Sequence, residues 1–138
     1  METFLIEAAF QKKLFTANGE MLLDVSFIVE KGELISLFGV SGVGKTTILR
    51  ILAGLTKADE GLIKVDGEVW FDSKRKIDVP ANKRPVGYMF QDFALFPNMS
   101  IEGNLKFAQP EPDKNHIDEL LDLFGLKERS VYDALIRL

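Results

Sequence analysis

The chain has 138 residues, of which 46% are hydrophobic and 28% charged, a composition that excludes a disordered or fibrous protein. The formal net charge of −4 excludes an overall positive field that would attract nucleic acid. The lack of cysteine excludes disulfides and thiolate metal sites, and no apolar run reaches the roughly 18 residues of a membrane span. We therefore expect one folded cytoplasmic chain that is not exported and has no nucleic-acid partner.

Alternating apolar residues predict two antiparallel strands at the start of the chain. The first run covers residues 3–10 and the second covers residues 23–29, with a polar turn at 16–20 between them. After a further turn at Lys31-Gly32, the segment ELISLFG (33–39) is an almost unbroken apolar run. Such a run predicts a central strand that is buried on both faces of a sheet.

The next elements are predicted from helical spacing and turn residues. The segment ILRILAGL (48–55) has a helical pattern that Gly54 ends in a left-handed cap. Asp66-Gly67 between two apolar runs predicts a type I′ hairpin. The polar segment 72–85 predicts a loop before a short strand at 86–89.

The remaining part of the chain has helical periodicity. We predict helices at 100–108, at 117–124 with Gly125 behind it, and at 127–138. The change from strand-rich to helix-rich sequence predicts two parts, a nucleotide-binding core at 1–97 and the start of a helical subdomain at 98–138.

The chemistry of the chain is concentrated in GVSGVGKT (39–46), which has the spacing of a P-loop. Its glycines let consecutive N–H groups point at phosphate oxygens, which a β-carbon would obstruct. Lys45 brings positive charge to the β- and γ-phosphates, Thr46 can place its hydroxyl on Mg²⁺, and a helix starting near Gly44 points its positive end at the same anion. The alternative is a glycine-rich turn with an exposed lysine, and the position between a strand and a helix favours the phosphate site.

Two longer segments, GVSGVGKTTILRILAGL and KRPVGYMFQDFALFPNMSIEGNL, closely resemble the nucleotide-binding subunits of ABC importers, particularly those for molybdate, sulfate and related ions. The resemblance covers residues 1 to about 126. It implies an α/β P-loop NTPase fold of the ABC ATPase type, with an N-terminal antiparallel β subdomain, the P-loop strand and helix, and the start of a helical subdomain. It also implies that ATP binds with Mg²⁺. The residues that match the family's phosphate-binding segment are Gly39, Val40, Ser41, Gly42, Val43, Gly44, Lys45, Thr46 and Thr47.

The resemblance implies further contacts with the nucleotide. Gln91 matches the Q-loop glutamine, which would contact Mg²⁺ or the attacking water and relay the nucleotide state to the membrane subunit, so the implied metal ligands are Thr46 and Gln91. The family stacks an aromatic side chain on adenine. Phe15 lies nearest the expected place, Phe10 is the alternative, and a core role for either phenylalanine stays open.

The sequence departs from the family in its catalytic motifs. It contains no LSGGQ signature, no apolar strand that ends in Asp-Glu (Walker B) and no switch histidine, so no catalytic residue is assigned. DELLDL (118–123) has helical spacing and is rejected as a Walker B strand. Because phosphoryl transfer depends on such groups around the γ-phosphate, we expect this chain to bind ATP without hydrolysing it. We further expect an incomplete fold, a fragment or truncated product whose exposed sheet edge favours self-association.

By resemblance, the intact protein is a homodimer beneath two membrane-spanning permease subunits on the inner face of the cell membrane. It would couple ATP hydrolysis to the uptake of an ion such as molybdate or sulfate. Two alternatives are a non-hydrolysing nucleotide-binding module and another P-loop NTPase, such as a small kinase or GTPase. The second lacks support because neither an NKxD-type motif nor an arginine-rich lid is present.

Overall fold

The computed structural model describes residues 4–17, 19–92 and 95–129. The chain divides into two compact units, one that extends through Tyr88 and one that starts at Met89. Within the described ranges, no helix has the length and apolar character needed to cross a membrane.

A five-stranded antiparallel sheet forms the first unit. Its order is β2-β1-β3-β4-β5, and the strands are β1 (Phe4–Thr16), β2 (Gly19–Glu30), β3 (Glu60–Val65), β4 (Glu68–Asp72) and β5 (Ile77–Asp78). The two strands predicted at the start of the chain are confirmed, although residue 3 lies outside the described residues. They are longer than their apolar alternation indicated, because the pairing continues to Thr16 and Gly19 beside the turn.

Helix α1 (Lys45–Leu52) packs on the sheet. Its buried residues Ile48 and Ile51 join Phe10, Ile63 and Trp70 in a single hydrophobic cluster. Burying each such side chain contributes about 1.5–3 kcal/mol. The cluster therefore holds α1 against β1, β3 and β4.

Two predicted turns are confirmed by their backbone angles. Asp66 and Gly67 have φ values of 49° and 80°, as the two central residues of a type I′ turn require. Gly54, just beyond α1, has a φ of 75°, in the left-handed region where helices commonly end.

The predicted central strand at 33–39 is wrong. The structure assigns no strand to residues 33–40, and Leu34 and Phe38 are 93% and 92% exposed. A strand is defined by its hydrogen-bonded neighbours, and the described antiparallel sheet does not include this segment. The short strand predicted at 86–89 is also wrong, since those residues have irregular backbone.

The second unit contains α2 (Ile101–Phe107) and α3 (Lys114–Leu123), which confirms the helices predicted at 100–108 and 117–124. Ser100 caps α2 by accepting a hydrogen bond from Gly103 N, and Asp113 caps α3 in the same way. Phe96 and Phe107 are in edge-to-face contact with ring centroids 4.7 Å apart. Of the helix predicted at 127–138, a 3-10 turn at Lys127–Arg129 is described, and residues 130–138 lie outside the described residues.

Candidate phosphate-binding site

The loop that precedes α1 has a backbone that only glycine accepts easily. Gly42 and Gly44 have φ values of 86° and 97°, which lie in a region that costs other residues roughly 1–2 kcal/mol. Gly44 also lies close to the sheet, because a β-carbon there would be 3.1 Å from Leu14 Cδ1 and 3.2 Å from Leu23 Cδ1. The glycines therefore allow the tight loop and let it lie against β1 and β2.

The side chain of Lys45 folds back over this loop. Its Nζ donates hydrogen bonds of 2.7 Å to the carbonyl oxygens of both Gly39 and Val40. These two bonds hold the ammonium group against the first residues of the loop. The loop thus presents a fixed positive charge beside its own backbone.

The start of α1 adds further donors. Gly44 is the N-cap, and no side-chain hydrogen bond caps this end of the helix. The first hydrogen bond of the helix runs from Ile48 N to Gly44 O at 2.9 Å. The N–H groups of Lys45, Thr46 and Thr47 come before that bond, where a helix leaves its donors for other partners. With the helix dipole, these groups favour an anion, and the exposed Thr46 stands beside them.

The other end of α1 is held by Arg84, which the sequence analysis did not single out. The Arg84 side chain is 2% exposed, and its Nη1 donates to Ile51 O at 2.8 Å and Leu52 O at 2.9 Å. Its Nε donates to Val79 O at 2.8 Å. Burial lowers the pKa of Arg84 from its usual value and Asp78 opposes that shift, so the guanidinium is a desolvated charge held by carbonyl groups.

No sequence signal pointed to Arg84. It follows a polar segment and precedes Pro85, which is the context of an ordinary loop cation. Its partners on α1, Ile51 and Leu52, lie more than 30 residues earlier in the chain. Only the folded chain brings them together.

The two candidate aromatic residues have opposite environments. Phe10 is 2% exposed and belongs to the core cluster, whereas Phe15 is 84% exposed near the end of β1. Phe15 is therefore the one whose ring face is available to a base. Gln91 lies in the second unit, where it is an exposed residue in a turn.

The glycine-rich loop, the helix behind it and the lysine folded over the loop are the local features of a P-loop. A family model described as ABC transporter matches residues 22–136. This range is most of the chain, and the chain belongs to the ABC transporter family.

Curated relatives have import functions in their names. The chain is 39% identical over 109 residues to the molybdenum import ATP-binding protein ModC of Vibrio parahaemolyticus, a match that covers 79% of this chain and 30% of that protein. It is 44% identical over 118 residues to the spermidine/putrescine import ATP-binding protein PotA of Protochlamydia amoebophila, which covers 81% of this chain and 30% of that protein. The chain thus spans about a third of the length of these relatives.

Solved structures share the fold. A dimeric ATP-binding cassette with bound ADP and phosphate matches with a TM-score of 0.72 and 22% identity, over 97% of this chain and 63% of that one. A subunit of an ABC transporter complex from Clostridium perfringens matches with a TM-score of 0.66 and 20% identity, over 99% of this chain and 57% of that one. The chain therefore has the fold of the N-terminal part of an ABC ATPase, as the sequence analysis predicted.

Proposed function

We propose that the chain is the nucleotide-binding front part of an ABC importer ATPase and that it binds Mg-ATP at residues 39–47. The main supporting observation is the placement of the Lys45 ammonium on the carbonyls of Gly39 and Val40, directly before an uncapped helix start. A polyphosphate at the loop would meet this charge and the first N–H groups of α1 together. Both contributions favour a highly charged anion.

The individual residues would divide the work. Gly39, Gly42 and Gly44 shape the loop, while Val40, Ser41 and Val43 supply backbone to it. Lys45 would hold the β- and γ-phosphates, and Thr47 would donate at the helix start. Mg²⁺, when bound, neutralises phosphate charge and prefers hard oxygen ligands such as the hydroxyl of Thr46. By resemblance to the family, the amide of Gln91 would contact the Mg²⁺ or the attacking water.

Phe15 would stack on adenine. Its exposure supports this role over Phe10, whose ring is enclosed in the core. A base stacked on an aromatic side chain gains about 1–3 kcal/mol. That is a 5- to 150-fold effect on affinity at about 1.4 kcal/mol for each tenfold.

The intact protein would be a homodimer that sits on the cytoplasmic face of the membrane through permease subunits and couples ATP hydrolysis to import. Molybdate or a related oxyanion such as sulfate is the proposed cargo, because relatives such as the Vibrio protein are named for molybdenum import. Polyamine import is the second candidate, since a spermidine/putrescine importer is 44% identical. The 138-residue chain alone would bind ATP without turnover, because its sequence contains no LSGGQ segment and no apolar run that ends in Asp-Glu.

Isothermal titration with Mg-ATP tests the proposed binding site. We expect Lys45→Ala to weaken binding at least about tenfold, because the lost charge faces two phosphates. Lys74→Ala removes an exposed lysine of the loop after β4 and should bind as the unmodified chain does. Equal affinity of Lys45→Ala and the unmodified chain would refute the site.

Two further measurements test the remaining parts of the proposal. Phe15→Ala should weaken binding of Mg-ATP while leaving tripolyphosphate binding unchanged, and the exposed Phe107→Ala should alter neither. A phosphate-release assay on the purified chain should show no turnover above the buffer rate. Brisk hydrolysis would show that the chain's own residues suffice for the chemistry.

A further inference from the structure

Arg84 is the only buried charged residue within the part of the chain that the structure describes. Removing a guanidinium from water is costly unless hydrogen bonds compensate for the lost hydration. The Arg84 group donates to the carbonyls of Ile51, Leu52 and Val79 at 2.8–2.9 Å. Such a residue is held in one geometry and in turn holds its partners.

The partners of Arg84 lie on two different elements. Ile51 and Leu52 are the last two residues of α1, whose final carbonyls have no partner within the helix. Asp78 is the last residue of β5, and Val79 follows it. The Arg84 Cζ lies 5.6 Å from the ring centroid of Trp70 on β4. The guanidinium therefore connects the end of α1 to the sheet.

The opposite end of α1 is the candidate phosphate site. An eight-residue helix is about 12 Å long at 1.5 Å per residue and behaves as a short stiff rod. A change in the direction of its last turn therefore displaces Lys45 and the donors at its first turn. A positive group at the C-terminal end of a helix also interacts favourably with the helix dipole.

We propose that Arg84 is a positioning residue for nucleotide binding, one that fixes the orientation of α1 and hence the geometry of the phosphate loop at its other end. The inference rests on the proposed function, since it concerns the affinity of the same loop. Arg84 does not contact the nucleotide. Its effect is transmitted through α1, and the reciprocal effect of nucleotide binding reaches Trp70 through Arg84.

Isothermal titration of variants with Mg-ATP tests this role. We expect Arg84→Lys, which keeps the charge and loses the planar set of donors, to weaken binding about tenfold, within the usual range for coupled sites of about 5- to 150-fold. Arg50→Lys is the matched control, because Arg50 is an exposed arginine in the last turn of the same helix. It should bind as the unmodified chain does.

A second control separates positioning from stability. Ile63→Val shortens a fully buried side chain of the core cluster and should lower the free energy of unfolding while leaving Mg-ATP affinity unchanged. Wild-type affinity in Arg84→Lys would overturn the proposal. So would a loss of affinity in Ile63→Val as large as that in Arg84→Lys.

Trp70 supplies a readout that needs no variant, since it is the sole tryptophan of the chain and lies beside Arg84. Saturating Mg-ATP should change its fluorescence in the unmodified chain, and Arg84→Lys should abolish that change at saturation. If Arg84→Lys does not fold, the Trp70 fluorescence of the unmodified chain tests the proposal, because unchanged emission at saturating Mg-ATP overturns it. A failure of the unmodified chain to bind Mg-ATP would instead refute the proposed function, and the positioning role with it.

Discussion

Replacing Gly54 by alanine should destabilise the first unit through two separable effects. Gly54 has a φ of 75°, and alanine in that region costs roughly 1–2 kcal/mol. A β-carbon would also lie 2.8 Å from Arg84 Nε, 3.0 Å from Cζ and 3.1 Å from Ala81 Cα. The backbone strain and the collision with Arg84 add to one another.

The size of the collision follows from the contacts of Arg84. To reach an ordinary contact of 3.4 Å, Nε must move by about 0.6 Å, which stretches bonds of 2.8–2.9 Å to Val79, Ile51 and Leu52. Loss of one hydrogen bond from a charged donor costs about 1.5–3 kcal/mol. We therefore expect Gly54→Ala to cost about 2.5–5 kcal/mol in the free energy of unfolding.

Urea unfolding followed by circular dichroism measures this cost. Gly32→Ala is the matched control in the same unit, because Gly32 has a φ of 81° and nothing within 4 Å of an added β-carbon. It should lose only the backbone contribution, about 1–2 kcal/mol. Equal losses at the two positions would refute the reasoning, since the contacts around Arg84 would then have no measurable effect.

Three further perturbations test other elements. A side-chain hydrogen bond from Lys12 and a backbone bond from Lys13 lower the pKa of Asp59 below its usual value of 3.8. The stabilising effect of the Asp59 carboxylate is therefore present above pH 3.8 and is lost as the pH falls through the lowered pKa. The difference in urea midpoint between the unmodified chain and Asp59→Asn should shrink as the pH is lowered below 3.8, and a constant difference would contradict this. Asp113→Ala removes the N-cap of α3 and should destabilise that helix by about 1 kcal/mol, measured by amide exchange, whereas Glu111→Ala should not. Leu34→Lys should reduce concentration-dependent self-association of the 138-residue chain more than Leu49→Lys does, as measured by sedimentation. Leu34 belongs to the exposed apolar segment at 33–40, whereas Leu49 is a single exposed leucine on α1. Equal effects of the two substitutions would exclude that segment as the contact.

Local patterns predicted the elements that local chemistry controls. The hairpin at Asp66-Gly67 and the end of α1 at Gly54 depend on residues a few positions apart. The glycine-rich loop at 39–46 is also local, since its glycines and Lys45 lie within eight consecutive residues. These features could be predicted from the sequence because the interacting groups are neighbours in the chain.

Two features could not be predicted because their interactions span long separations. The apolar run at 33–39 has the composition of a buried strand, yet strand structure requires neighbouring strands at hydrogen-bonding distance, and the described sheet leaves this run outside. Arg84 has the sequence context of a solvated cation, yet folding buries it against carbonyls more than 30 residues away.

The sequence by itself determined the glycine-rich loop, its lysine, the helix behind it and the family to which the chain belongs, because each depends on residue types at fixed short spacing. Tertiary structure decided which phenylalanine is buried and which is exposed, and which arginine holds the far end of α1. Burial and long-range hydrogen bonding arise from the packing of distant segments, and that packing exists only once the sheet and α1 have come together.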